Sequence, residues 1–117
     1  MPSKQATFNR VVKHLRAQNA KALGDDESCQ YLAPDGKRCA AGCLIPFKEY
    51  NPSFEGQSVC FASPTELTMA GKFIKKKGHD IRLVRDLQNI HDNYEPKQWN
   101  RKFKETAKEF NLEYTKP

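Results

Sequence analysis

The sequence predicts a small α+β domain, mostly helical, with about four helices and one short cysteine-bearing β-hairpin. Three observations predict it. Apolar residues recur at helical spacing in four separate stretches. Ala33-Pro34-Asp35-Gly36-Lys37 is a strong turn signal between two short arms. A chain of 117 residues can close one core but not two. Seven Phe, four Tyr and one Trp give it aromatic content that a disordered chain would lack. The expected organisation is a disordered N-terminus over 1–6, one globular domain over 7–113 and a tail over 114–117.

The first helix is expected to begin at Thr7. Phe8, Val11, Val12 and Leu15 then fall at i, i+3, i+4 and i+7 and form one apolar stripe. Arg10, Lys13, Arg16 and Lys21 lie off it. The pattern fades at Ala22 and Leu23, and Gly24 is a suitable stop. Asp25 to Glu27 follow as an acidic loop.

Ser28 to Leu32 alternates, with Cys29 and Tyr31 on one face. Pro34 presets φ, Asp35 bonds its own backbone and Gly36 supplies positive φ, so Lys37 to Ala41 should return antiparallel. Cys29 and Cys39 would then lie close. Cys39-x3-Cys43 on a helical turn would share a face, and Pro46 closes the unit. From Phe47 to Val59 the chain is irregular and aromatic. Phe47, Tyr50 and Phe54 are the candidate partner-binding residues, because exposed rings in an ordered loop make a contact surface.

Ser63-Pro64-Thr65-Glu66 has the pattern of a capping box. Leu67, Ala70, Phe73 and Ile74 continue one face, and Lys75-Lys76-Lys77-Gly78 ends it as the helix dipole and a left-handed cap favour. Asp80 is expected to cap a third helix carrying Ile81, Val84, Leu87, Gln88 and Ile90, with His91-Asp92 where it should stop. Pro96 opens the last helix, along which Trp99, Phe103, Ala107 and Phe110 recur. Asn111 is its expected left-handed cap, with Leu112 folding back.

The four cysteines admit three readings. They can be buried thiols acting as small apolar residues. Cys29, Cys39, Cys43 and Cys60 can instead form a structural zinc site, and apart from such a zinc no cofactor is expected; only Cys39-x3-Cys43 has the spacing of a ligand knuckle. A reactive thiol beside Arg38 is the weakest reading. The pairs His79-Asp80 and His91-Asp92 suit a metal-dependent hydrolase, yet both fall at expected helix ends, where Asp caps and His complements the dipole. The sequence carries no phosphate-binding loop, dinucleotide fingerprint or Gly-x-Ser-x-Gly elbow. Its acidic residues are scattered, which leans against an enzyme.

The net charge of +6 excludes an acidic DNA mimic and suits nucleic acid or an acidic protein. Residues 72–104 hold ten Lys or Arg against four Asp or Glu, with Tyr94 and Trp99 among them. Lys75, Lys76, Lys77, Arg82 and Arg85 are the candidate nucleic-acid contacts. Gly78 between two helices loosely fits a helix-turn-helix with residues 80–91 as recognition helix. No apolar run approaches the ~18 residues of a membrane span, and Met-Pro-Ser-Lys-Gln-Ala-Thr lacks a signal peptide's apolar region. The expectation is a cytoplasmic protein with reduced thiols.

Cys29-x-Tyr31, Gly36 and Cys39-Ala40-Ala41-Gly42-Cys43-Leu44-Ile45-Pro46 form one block. Leu87-Gln88-Asn89-Ile90-His91-Asp92, followed by Trp99 and a C-terminal helix, forms a second. Together they span most of residues 29–112 and resemble a family of small uncharacterised bacteriophage and prophage proteins. Members often carry an acidic residue after Leu-Ile-Pro, where this chain has Phe47. The resemblance implies a viral origin, a shared fold and a bacterial cytosol, and it implies no activity. The expectation is a non-enzymatic binding protein that engages a host protein. The alternatives are nucleic-acid binding through residues 72–104 and a metal-dependent hydrolase using the His-Asp pairs.

Overall fold

A computed structural model describes residues 2–117. Four helices carry it: α1 (Lys4–Gln18), α2 (Met69–Lys76), α3 (Ile81–Asn93) and α4 (Pro96–Glu109). α3 is the central one. Seven of its thirteen residues are buried, and it packs against α1, α2 and α4. Between α1 and α2 runs a long irregular segment with three single 3-10 turns, Gly42–Leu44, Phe47–Glu49 and Pro52–Phe54.

The β-hairpin expectation is corrected: the domain is all-helical, with no strand or sheet among the described residues. The turn itself forms. Ala33 N–H donates to the Lys37 carbonyl at 2.8 Å, and Gly36 adopts φ +90°. One isolated antiparallel bridge, Leu32 with Arg38, closes it. A ladder fails to grow because side chains from elsewhere take the backbone groups it would need. The Glu55 carboxylate accepts from the Tyr31 and Leu32 N–H groups at 2.9 and 3.2 Å. Gln18 accepts from Arg38 N–H and donates to its carbonyl. His14 donates to the same carbonyl at 2.9 Å. Beyond Cys39 the chain coils into the Gly42–Leu44 turn.

Helix boundaries follow the caps that find partners. Ser3, not Thr7, caps α1 by accepting from Ala6 N–H. Residues 4–6 are helical, and Met1 lies outside the described residues. α1 stops at Asn19, left-handed at φ 48°, five residues before Gly24. Thr68, not Ser63, caps α2: its hydroxyl accepts from Gly71 N–H and donates to the Ser58 carbonyl at 2.6 Å. Leu67 is thereby held extended, bridged to Cys60. Asp80 caps α3 through Leu83 N–H. α3 runs on through His91 and Asp92 to Asn93. α4 begins at Pro96 as expected and ends on Asn111 at φ 56°, with Leu112 N–H returning to the Ala107 carbonyl at 2.7 Å.

The core joins the α1 stripe, the inner faces of α2, α3 and α4, and the small-residue block of 39–45. Two glycines set how closely the irregular segment can lie. A Cβ on Gly42 would collide with the Tyr31 carbonyl oxygen, and one on Gly71 with that of Val59. Neither carbonyl belongs to a flexible side chain, so the backbone itself would have to move. Gly42→Ala and Gly71→Ala should each cost about 3 kcal/mol, at the upper end of overpacking effects. Gly36→Ala meets open space and should cost only about 1 kcal/mol of backbone strain. Urea unfolding of the three variants checks this. Equal losses would mean that Gly42 and Gly71 are not close-packed.

Candidate functional site

The chemistry-bearing residues of the second sequence block gather on the buried face of α3. His91 is fully buried. Its Nε2 accepts the Ala22 N–H at 3.0 Å. That contact leaves the ring proton on Nδ1, which donates to Asp92 Oδ1 at 2.8 Å. Gln88 Nε2 donates to the same oxygen at 2.7 Å, and Gln88 Oε1 accepts the Ala41 N–H at 2.9 Å. The His91 ring stacks on Trp99 with centroids 5.8 Å apart. A continuous polar line therefore runs from Ala22 through His91, Asp92 and Gln88 to Ala41. Sequence reasoning assigned His91 and Asp92 to a helix end and missed the line. The signal was there: Gln88 and His91 share the apolar face of Leu87, and polar groups on such a face need partners.

Cys29 sits at the solvent edge of this line, its thiol within 4.8 Å of an Asp92 oxygen. Burial, then the Asp92 charge, push its pKa up to about 11, so it is held as a thiol. Cys29 Sγ, a His91 ring nitrogen and an Asp92 oxygen lie within 4.8 Å of one another. Among the described residues this is the group of three potential metal ligands that converges, and Cys39, Cys43 and Cys60 are outside it. The hydrogen bonds fit a metal poorly. Ligation through Nδ1 would move the ring proton to Nε2, against the Ala22 N–H. The arrangement thus offers two ligands, fewer than the three or four that zinc takes from protein.

The other cysteines fill interior space. Cys39 Sγ accepts from Gly42 N–H, and the Cys43 thiol donates to the Ala40 carbonyl. Burial pushes Cys39 well above the usual thiol range and Cys43 up to about 11. Cys60 is buried beside Val59.

The three aromatic candidates separate. Phe54 is buried, with edge contacts to Tyr31 and Tyr50 at 6.4 Å and a tilted contact to Phe73 at 6.2 Å. Tyr50 is half-buried, its hydroxyl donating to Glu55 at 2.6 Å. Phe47 is 62% exposed, and the Arg38 guanidinium lies 4.7 Å over its ring. The Arg38 backbone is fixed by His14 and Gln18 from α1. Arg10 and Lys77 line a hollow that reaches Pro46, Arg10 donating to the Cys43 carbonyl at 3.1 Å and Lys77 pairing with Glu49. Phe47 is thus an exposed aromatic ring beneath one cation whose backbone is held.

The nucleic-acid candidates sit at the corner between α2 and α3. Lys75, Lys76, Lys77 and Arg82 are exposed, and Arg85 is half-buried beside Asp86 at 3.5 Å. α3 leaves only a narrow outward stripe, Arg82, Arg85, Asp86, Asn89 and Asn93. Trp99 is buried, its indole N–H donating to the Tyr94 carbonyl, so it is no stacking platform. Among the described residues no helix is long and apolar enough to cross a membrane.

Comparison with protein families, with curated proteins and with solved structures finds no match.

His91→Ala would strand the Ala22 N–H and open a hole under Trp99. It should cost about 3 kcal/mol, roughly 10 °C or more in melting temperature for a domain this size. Calorimetry checks this, and a change within 2–3 °C, about the effect of an ordinary surface substitution, would refute a structural role for the His91 contacts. Stability should also fall on mild acidification. Desolvation lowers the pKa of both His14 and His79 in the fold. The unfolded chain therefore binds protons first, near pH 6.5, and stability is full above that value and lost as pH falls through the lower folded values. The lowered Asp26 and Asp35 act only at more acid pH. Thermal melts between about pH 7.5 and 5 should decline steadily, and a flat profile would contradict burial of these rings.

Proposed function

We propose that the protein is a non-enzymatic binding protein that engages an acidic surface of a host protein in the bacterial cytosol, through the face centred on Phe47. The observation that carries this reading is a large aromatic side chain, 62% exposed, beneath an arginine whose own backbone is pinned. Burial of such a ring on a partner supplies affinity, and the surrounding cations select acidic surroundings. The resemblance to phage proteins supplies the host context. Of the two His-Asp pairs, His91 and Asp92 are engaged with one another, and His91 and the neighbouring Gln88 with backbone amides.

A second reading, nucleic-acid binding through Lys75, Lys76, Lys77, Arg82 and Arg85, is favoured by the exposure of four of these cations at one corner.

Affinity capture from bacterial lysate, with and without nuclease, separates the two when repeated with variants. A protein retained after nuclease should be lost with Phe47→Ser and weakened with Arg38→Glu, while both variants melt as the parent does. Truncation of an aromatic anchor costs about 2 kcal/mol or more, roughly thirtyfold in affinity. Capture unchanged by Phe47→Ser would sink the reading. Recovery that vanishes with nuclease, falls steeply with salt and is lost with Lys75→Ser and Lys76→Ser would put the corner in its place.

A further inference from the structure

The corner between α2 and α3 holds a cleft of about 470 Å³ lined by Lys4, Lys75, His79, Asp80 and Arg82. His79 lies between this cleft and a neighbouring hollow reached by Arg10 and Lys77. The residue is buried, with 7% of its surface accessible. Its Nδ1 meets the buried Thr7 hydroxyl at 2.7 Å. Nε2 has no hydrogen-bond partner among the described residues and is not one of their fully enclosed polar atoms, so it opens onto the hollows that His79 lines. A buried imidazole normally engages both nitrogens, as His91 does. Here one is left facing a cavity rimmed by cations.

The charge of that cavity is one-sided. Lys4, Lys75 and Arg82 stand against one carboxylate, Asp80. Asp80 is already engaged: one oxygen caps α3 through Leu83 N–H at 2.9 Å, and the other lies 3.9 Å from Lys4. The start of α3 is thus satisfied from within the chain. Lys75 and Arg82 are exposed at the rim and have no ion-pair partner among the described residues.

We propose that this cleft binds a small phosphoryl anion, either inorganic phosphate or the terminal phosphate of a monoester, with His79 Nε2 donating to it from the floor and Lys75 and Arg82 closing on it from the rim. The inference deepens the reading of the α2–α3 corner and is independent of the Phe47 surface. A phosphoryl group fits because it offers several acceptor oxygens and a double charge to one N–H and two cations. Binding selects one tautomer of His79: the Thr7 hydroxyl donates to Nδ1, and the ring proton sits on Nε2. The planar Arg82 guanidinium can meet two oxygens at once, whereas Lys75 acts as a point charge.

The test is NMR titration of the full-length protein with inorganic phosphate at constant ionic strength and pH, following the His79 ring signals. Equal additions of chloride and sulfate, a phosphate monoester and a short single-stranded oligonucleotide run in parallel. The expected result is a saturable shift of His79 with phosphate and with the monoester, in the millimolar range or tighter. His14 should not move. Arg82→Ser and Lys75→Ser, both at exposed positions, should each weaken binding about tenfold, a difference of about 1.4 kcal/mol. His79→Phe should abolish binding; its melting curve and unchanged Phe47-dependent capture would establish that it folds. Saturation by phosphate but not by the monoester would identify the free ion as the source. The proposal is overturned if His79 does not shift, or if chloride shifts it equally. It is also overturned if the rim variants bind phosphate as the parent does, or if only the oligonucleotide binds. That last outcome would make the corner a backbone-tracking surface instead.

Discussion

Most of this structure depends on one hydrogen bond between a helix and a loop that has no secondary structure of its own: Ala22 N–H to His91 Nε2. Ala22 is fully buried, and so is His91. A backbone amide at such depth has no water to turn to, and leaving it unpaired would cost more than the bond itself contributes. The same logic recurs one turn earlier on α3, where Gln88 accepts the buried Ala41 N–H. α3 thus serves two irregular segments, residues 19–30 and 39–45, as a template of acceptors. Asp92 ties the two donors of that template together, since His91 and Gln88 both donate to one of its oxygens. Loss of either side chain would therefore release a loop as well as open a cavity.

The same principle explains why the middle of the chain is ordered without a sheet. Glu55 satisfies two amides of the Tyr31 arm, Gln18 and His14 hold the Arg38 arm, and Thr68 ties α2 to Ser58. Each bond joins a side chain to a backbone group ten or more residues away. Apolar periodicity and turn signals are local, so they report the Pro34-Asp35-Gly36 turn faithfully and say nothing about its competitors. That is why the turn was legible and the absence of a ladder was not. The helix ends show the same limit. Asp80, Pro96 and Asn111 behave as their local patterns indicate, because nothing distant competes for them. Ser63 loses to Thr68, whose hydroxyl has a second partner in Ser58, and Gly24 loses to Asn19. The first case is tertiary contact deciding between two acceptable local caps.

The cysteine block shows how a conspicuous motif can be steric in origin. Gly42 lies where the Tyr31 backbone passes, Ala40 and Ala41 are fully buried, and Cys39 and Cys43 bond within their own turn. The closeness of that approach explains Gly42, and burial explains its small neighbours. From sequence alone, small-residue packing and metal ligation look alike, because both call for cysteine at short spacing. Burial and the direction of the thiol hydrogen bonds separate them. The aromatic segment divides for a similar reason. Phe54, which begins no differently from Phe47 in the sequence, is drawn inward by Tyr31, Tyr50 and Phe73.

Phe47 directly follows that block. Ile45 before it is buried and Pro46 fixes the backbone, so position 47 emerges at a set angle with its side chain free of the core. A residue placed in this way can change without cost to folding, and its chemistry can follow the partner. Here an aromatic ring lies beneath Arg38, whose carbonyl and amide are both held by α1. Holding the backbone in advance reduces the ordering entropy that association must overcome. The rigidity that α1 and α3 impose on the irregular segment is therefore what suits this face to the proposed role: the network that stabilises the interior also presents the ring.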